Sequence, residues 1–267
     1  MQALSMYLLR RFLDNSDIIL LIFARMIAFF LIMPVFSSND LNVWAKLTFA
    51  VSASFLIAAS GKAQYVGYTD TAPGFVLLLI KEFLTGFIMG FVVYLTFNLI
   101  FFAGQLLDFQ IGFSMVNVFD PITQIQVPIT GNLFFLTLTA LLIQSGGLHA
   151  FLSALFFSYD MLPIGRAVIL NNPALVKLVL ELMQNFITVA VQTALPITGA
   201  IMIIDIAMGL LVKAAPQMNV FVVGMPIKLL AGLTLLYMMS PALSNAYRTV
   251  FDLAYAAMAG VLKGMAG

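Results

Sequence analysis

Several charged residues lie inside long apolar runs or at their edges, among them Arg25 in FARMIAFFLIMPVF, the adjacent Lys81 and Glu82, Asp205, Lys213 and Lys228. A charge in hydrocarbon is costly, so each of these must face protein or water. Three kinds of chemistry fit that placement: pairing with one another or snorkelling to an interface, a proton relay, or contact with another subunit. The sequence leaves all three open. His149, in QSGGLHAFL, is the single histidine, and there are no cysteines. Disulfides, thiolate zinc sites and cysteine nucleophiles are thereby excluded, and a metal site built on His149 would have only carboxylates to complete it. His149 is read as structural or interfacial. No Gly-rich phosphate loop, nucleophile elbow or HExxH pattern occurs, and no spacing of Ser and Asp suggests a triad. The chain is read as a non-enzyme that needs no cofactor and no metal.

The elements that must hold these groups are set by composition. Of 267 residues, 63% are hydrophobic and 9% charged, with a mean hydropathy of +1.09, far from the range of a soluble domain. Such a chain is an integral membrane protein with room for about five to seven spans of ~20 residues and no separate soluble domain. One domain over 1–267 is expected, in contact with lipid. Twelve Lys and Arg against eleven Asp and Glu give no basis for a nucleic-acid partner. Arg10 and Arg11 precede an apolar run that contains Arg25 and has no small-residue cleavage site, so the N-terminal segment is read as retained. Apolar stretches cover 18–36, 43–59, 75–107, 132–159, 174–212, 219–239 and 242–262. The 75–107 block as one helix would be about 50 Å long against a hydrocarbon core of about 30 Å, so a flat bilayer alone does not account for it. Loop Lys and Arg are too few for the positive-inside rule to orient the chain.

Proline and glycine supply the punctuation. Pro73 and Gly74 predict a helix start, Pro34 and the Pro163–Gly165 pair predict boundaries, and Pro196 predicts a kink or a hairpin turn. Two stretches resist that simple reading. GFSMVNVFDPITQIQVPITGN, 112–132, carries two prolines and two glycines between apolar blocks. Irregular backbone at membrane depth is tolerated only inside protein or along a water-filled cavity. Asn117, Gln124 and Gln126 are uncharged donor-acceptors suited to such a cavity, and Met115, Val116, Val118 and Phe119 could close it. An ordinary extramembrane loop is the alternative. The second stretch is KAAPQMNVFVVGMPIK, 213–228, with Lys213 and Lys228 bracketing Pro216, Gly224 and Pro226. The sixteen methionines are adaptable fillers in either setting.

The 112–132 stretch, the Gly-Gly-x-His of SGGLHAFL, LPIG at 162–165 and AAPQMNVFVVGMPIKLLAGL at 214–233 together resemble the FliR family, export-gate membrane subunits of bacterial flagella whose SctT-like relatives serve virulence type III secretion. Arg25 and Pro34 also match the family's opening helix. The resemblance implies an all-α polytopic membrane protein of long, broken helical hairpins. It implies a helical export-gate assembly with FliP-like and FliQ-like subunits beside an FlhB-like subunit, standing largely above the bacterial inner membrane at the flagellar basal body. The substrate would be unfolded exported proteins, moved by energy from other components. The resemblance also implies a plug at about 111–128, with Gly112, Met115, Val116, Asn117, Phe119, Asp120, Pro121, Gln124, Gln126 and Pro128 as gating residues. Arg25, Lys81, Glu82, Asp205, Lys213, Pro216, Asn219 and Lys228 are candidates for subunit interfaces. An injectisome gate subunit is the main alternative. A small-solute transporter also uses broken helices and midplane charges, and a pore-free scaffold would also bury charges.

Overall fold

The computed structural model describes residues 16–37, 42–62, 72–113, 128–169, 172–217 and 219–266. These form helices α1 (Ser16–Ile32), α2 (Pro34–Ser37), α3 (Val43–Ser60), α4 (Ala72–Ile111), α5 (Ile129–Gln144), α6 (Gly147–Met161), α7 (Pro173–Ala214) and α8 (Val220–Ala266). The protein is all-α and polytopic. Among the described residues α3, α4, α7 and α8 are long and apolar enough to cross a membrane, and the count reaches five if α5 and α6 form one broken span.

Local chemistry sets most of the boundaries. Pro34 opens α2 directly after the break at Met33, a position where a missing N–H costs nothing. Asn42 caps α3 by accepting from the Trp44 amide at 3.2 Å. Pro73 sits in the first turn of α4. The 132–159 stretch is divided at Ser145–Gly146, where Gly146 takes φ +73°, a left-handed conformation that a β-carbon would strain. Pro163 and Gly165 follow the end of α6.

One division is corrected, and of the two readings of Pro196 the hairpin turn is removed. The 219–239 and 242–262 stretches form one 47-residue helix that continues through Pro226 and Pro241, and α7 continues through Pro196 without a hairpin turn. Each proline removes one backbone donor, but no turn chemistry flanks it, and in an apolar setting the neighbouring amides have no partners better than the helix itself. At 1.5 Å per residue α4, α7 and α8 would run about 60–70 Å, roughly twice the hydrocarbon thickness.

The chain divides into two compact units, each drawn from non-contiguous segments: Met1–Tyr94, Gly146–Leu182 and Ala254–Gly267 in the first, Leu95–Ser145 and Met183–Leu253 in the second. In the first unit α1 packs on α4 through Gly86 and Gly90. A β-carbon at Gly86 would strike the Arg25 carbonyl, and one at Gly90 would lie 3.0 Å from the Phe29 oxygen. This is a small-xxx-small contact, in which the missing side chains let two backbones approach. Leu21, Ile22, Met26, Phe29 and Phe30 of α1 are fully buried around it. In the second unit Phe97 of α4 meets Phe135 of α5 edge to face at 5.9 Å between centroids. Buried Leu107 and Ile111 continue that core, with Ile111 against Gly232 of α8.

Candidate functional site

The first unit holds a charge cluster built from three chain segments. Arg25 of α1 and Glu82 of α4 are both fully buried, with guanidinium Nη2 2.7 Å from Glu82 Oε2 and Nε donating to the same oxygen at 2.7 Å. Nη1 donates to Ser158 Oγ at 3.1 Å, and both Nη atoms donate to the Leu162 carbonyl at 3.2 Å. All five guanidinium N–H groups therefore face an acceptor. The other Glu82 oxygen accepts from the Gly165 amide at 2.9 Å, and the Tyr159 ring lies 4.1 Å under the guanidinium carbon. The LPIG turn thus completes the shell of an ion pair set 57 residues apart in sequence. Its neighbour Lys81 is half-buried, and its backbone carbonyl accepts from Thr85.

The second unit holds the two ends of the segment that interrupts the apolar chain. Gly112 follows α4 with φ +100°, and Pro128 precedes α5. Pro128 offers no side-chain cap to α5. That role falls to Asp108, almost wholly buried in the last turn of α4, whose carboxylate accepts from Thr130 N at 2.9 and 3.1 Å and from Gly131 N at 3.4 Å. These are orphan amides of the first turn of α5, where the helix dipole also favours a negative charge. One turn earlier, Gly104 and Gly131 bring the two backbones so close that a β-carbon on Gly104 would collide with Gly131. The side chain of Thr130 is buried there, and among the described residues its hydroxyl has no partner. The chain therefore leaves and re-enters the helical core at one place. Met115, Val116, Asn117, Phe119, Asp120, Pro121, Gln124 and Gln126 lie outside the described residues.

Around the second motif the structure joins Asp205 of α7 to Lys228 of α8 in a partly exposed salt bridge. Lys213 lies exposed in the last turn of α7, where a cation suits the helix terminus. Pro216 is exposed in the turn that follows. Asn219 caps α8, accepting from Phe221 N at 3.1 Å. His149 is exposed in the first turn of α6, and the described residues contain no group of three or more His, Asp or Glu side chains placed to hold a metal.

Asp108, Gly104 and the Gly86–Gly90 pair were not anticipated from the sequence. Signals for them exist: a lone carboxylate one turn before the glycine that ends an apolar block, and a GxxxG spacing inside LTGFIMGFVV.

Residues 17–254 match the family described as bacterial export proteins, family 1. The flagellar biosynthetic protein FliR of Bacillus subtilis (strain 168) is 25% identical over 257 residues, covering 94% of this chain and 96% of that protein. The FliR of Pectobacterium carotovorum subsp. carotovorum is 30% identical over 239 residues, covering 86% and 88%. The secretion system apparatus protein SsaT of Salmonella typhimurium (strain LT2) is 29% identical over 222 residues, covering 80% and 83%. With a match that spans nearly the whole chain, and with helices that fit an integral membrane protein, this chain belongs to the bacterial export proteins, family 1.

Proposed function

We propose that the chain is a subunit of the flagellar protein-export gate in the bacterial inner membrane, at the basal body. It joins FliP-like and FliQ-like subunits, with an FlhB-like neighbour, to form a conduit for unfolded proteins. It gates that conduit passively with the 111–128 segment and performs no chemistry of its own. The observation that carries this reading is the Asp108 anchor: α4 and α5 are fixed to each other at the two ends of a segment rich in proline, glycine and uncharged polar residues. A segment so tethered can move aside without loss of the helices that frame it. In the closed gate Met115, Val116 and Phe119 fill the lumen, and Asn117, Gln124 and Gln126 hydrogen-bond within it.

The fuller coverage by the flagellar relatives favours the flagellar machine over the injectisome. Exposed Lys213 and Pro216 are offered as subunit contacts, as is the large apolar surface of α7 and α8. Expression with and without the partner chains tests the assembly. The chain alone should aggregate or be degraded, and co-expression with FliP-like and FliQ-like chains should rescue it. A monodisperse, protease-resistant monomer in detergent would contradict the proposal.

A further inference from the structure

Between α6 and α7 the chain runs as irregular backbone through the first unit, with Leu162, Ile164 and Ala167 buried. Buried irregular backbone must find partners for its own N–H and C=O groups. Near its start these are side chains, since Arg25 donates to the Leu162 carbonyl and Glu82 accepts from the Gly165 amide. Near its end the partners come from α8. Val168 N donates to the Met265 carbonyl at 2.9 Å, and Asn172 Nδ2 donates to the Gly264 carbonyl at 2.8 Å. Both carbonyls belong to the last turn of α8, where the helix itself supplies no donor.

The rest of the Asn172 side chain is also engaged. Nδ2 donates to the Val168 carbonyl at 2.9 Å. Oδ1 accepts from Leu175 N at 3.1 Å, the contact of a helix N-cap ahead of Pro173. One amide thus spends both its donors and its acceptor on the connector, the start of α7 and the end of α8. Just beyond it, Leu175 and Leu178 of α7 lie over the glycines of the GVLKG stretch in α8. A β-carbon at Gly260 would sit 3.7 Å from Leu178, and one at Gly264 3.7 Å from Leu175.

We propose that Asn172 is a clasp that fixes how α8 docks against α7, a positioning residue for the two paired helices. This role is independent of the export-gate reading above. At about 1.5 Å per residue, a slip at this end would displace the whole of α8 along its axis. The geometry demands an amide. Aspartate caps a helix start as well as asparagine does, but at 172 it would set a carboxylate against the Val168 and Gly264 carbonyls, at the negative end of the α8 dipole. Serine would keep the cap and lose the donors.

The chain has no cysteine, so paired replacements can be read directly. Leu178→Cys with Gly260→Cys reports the docking of α8 on α7. Lys62→Cys with Asp160→Cys replaces an exposed salt bridge of the same unit and reports its fold. Each pair would be placed in the 267-residue chain in native membranes and treated with a short bifunctional thiol crosslinker. Asn172→Ser should slow closure of the first pair about tenfold, the weight of a part-buried acceptor stripped of its donor, and Asn172→Asp should slow it further. The second pair should close at an unchanged rate, because Tyr255 of α8 still donates to the Gly147 carbonyl and the Arg25 cluster is untouched. Unchanged closure of the first pair in Asn172→Asp would overturn the assignment, since a plain cap accepts either residue. If the aspartate variant loses both pairs, the serine variant decides. Loss of both pairs there as well would also overturn the assignment, because Asn172 would then hold the unit as a whole and not the docking of α8.

Discussion

The Arg25–Glu82 cluster and the Asp108 anchor both bury a carboxylate in an apolar protein, and they do so in opposite ways. In the first unit, Glu82 faces a guanidinium whose five N–H groups all meet acceptors from the same cluster. In the second, Asp108 relies on backbone amides at a helix start, beside a Thr130 hydroxyl that has no partner among the described residues. A closed network of side chains from three segments holds α1, α4 and the LPIG turn as one piece. A single residue at the end of one helix that caps the start of the next is a lighter fastening. Of the two, the anchor at the ends of the interrupted segment is the more easily released.

The largest effect should come from opening the buried cluster. Glu82→Ala leaves Arg25 uncompensated in a dry site and should destabilise the fold by about 3–5 kcal/mol. Loss of the assembled complex on mild heating in detergent would report it. Replacing both partners with apolar residues, Arg25→Met with Glu82→Leu, should recover much of the loss, because no orphan charge remains. If the double variant is as unstable as the single, the pair has a role beyond its mutual neutralisation.

Asp108→Ala comes next. Loss of a charged cap should cost about 1–2 kcal/mol, and Asp108→Asn, which keeps an acceptor, should cost less. Proteolysis within 112–128 should accelerate in the alanine variant while α1 and α4 stay protected. Equal protection in both variants would mean that the Gly104–Gly131 contact alone holds the ends together. The smallest effect belongs to Lys228→Met. Its salt bridge with Asp205 is one-quarter to two-fifths exposed, so thermal stability should change by no more than about 1 kcal/mol. A loss as great as that of Glu82→Ala would place Lys228 in a drier setting than the chain by itself provides.

Much of the helical layout is legible in the residues, because apolar length and proline or glycine punctuation act locally. The 43–59, 75–107 and 174–212 blocks lie within α3, α4 and α7. The same local signals fail where a single residue must be weighed against its surroundings. Pro196 looks in sequence like a kink or a hairpin turn, yet one missing donor does not end a helix whose other amides have nowhere better to go. Gly146 divides an apolar block because its neighbours, Ser145 and Gly147, supply turn chemistry. The site is less legible than the fold. Arg25 and Glu82 stand out as charges, but their pairing is a long-range fact of packing. Asp108 is a further step removed, since its partners are the backbone amides of Thr130 and Gly131, which no side-chain pattern displays.

The central claim is that the 111–128 segment closes a conduit whose walls stand without it. Ion conductance across membranes carrying the chain with residues 116–124 removed, co-expressed with its partner subunits, tests that claim most directly when complex yield is measured on the same preparation. The proposed gate predicts a leak at normal complex yield, because the groups proposed to fill the lumen are lost while the Asp108 anchor and the helix faces remain. Unchanged conductance at normal yield would contradict it.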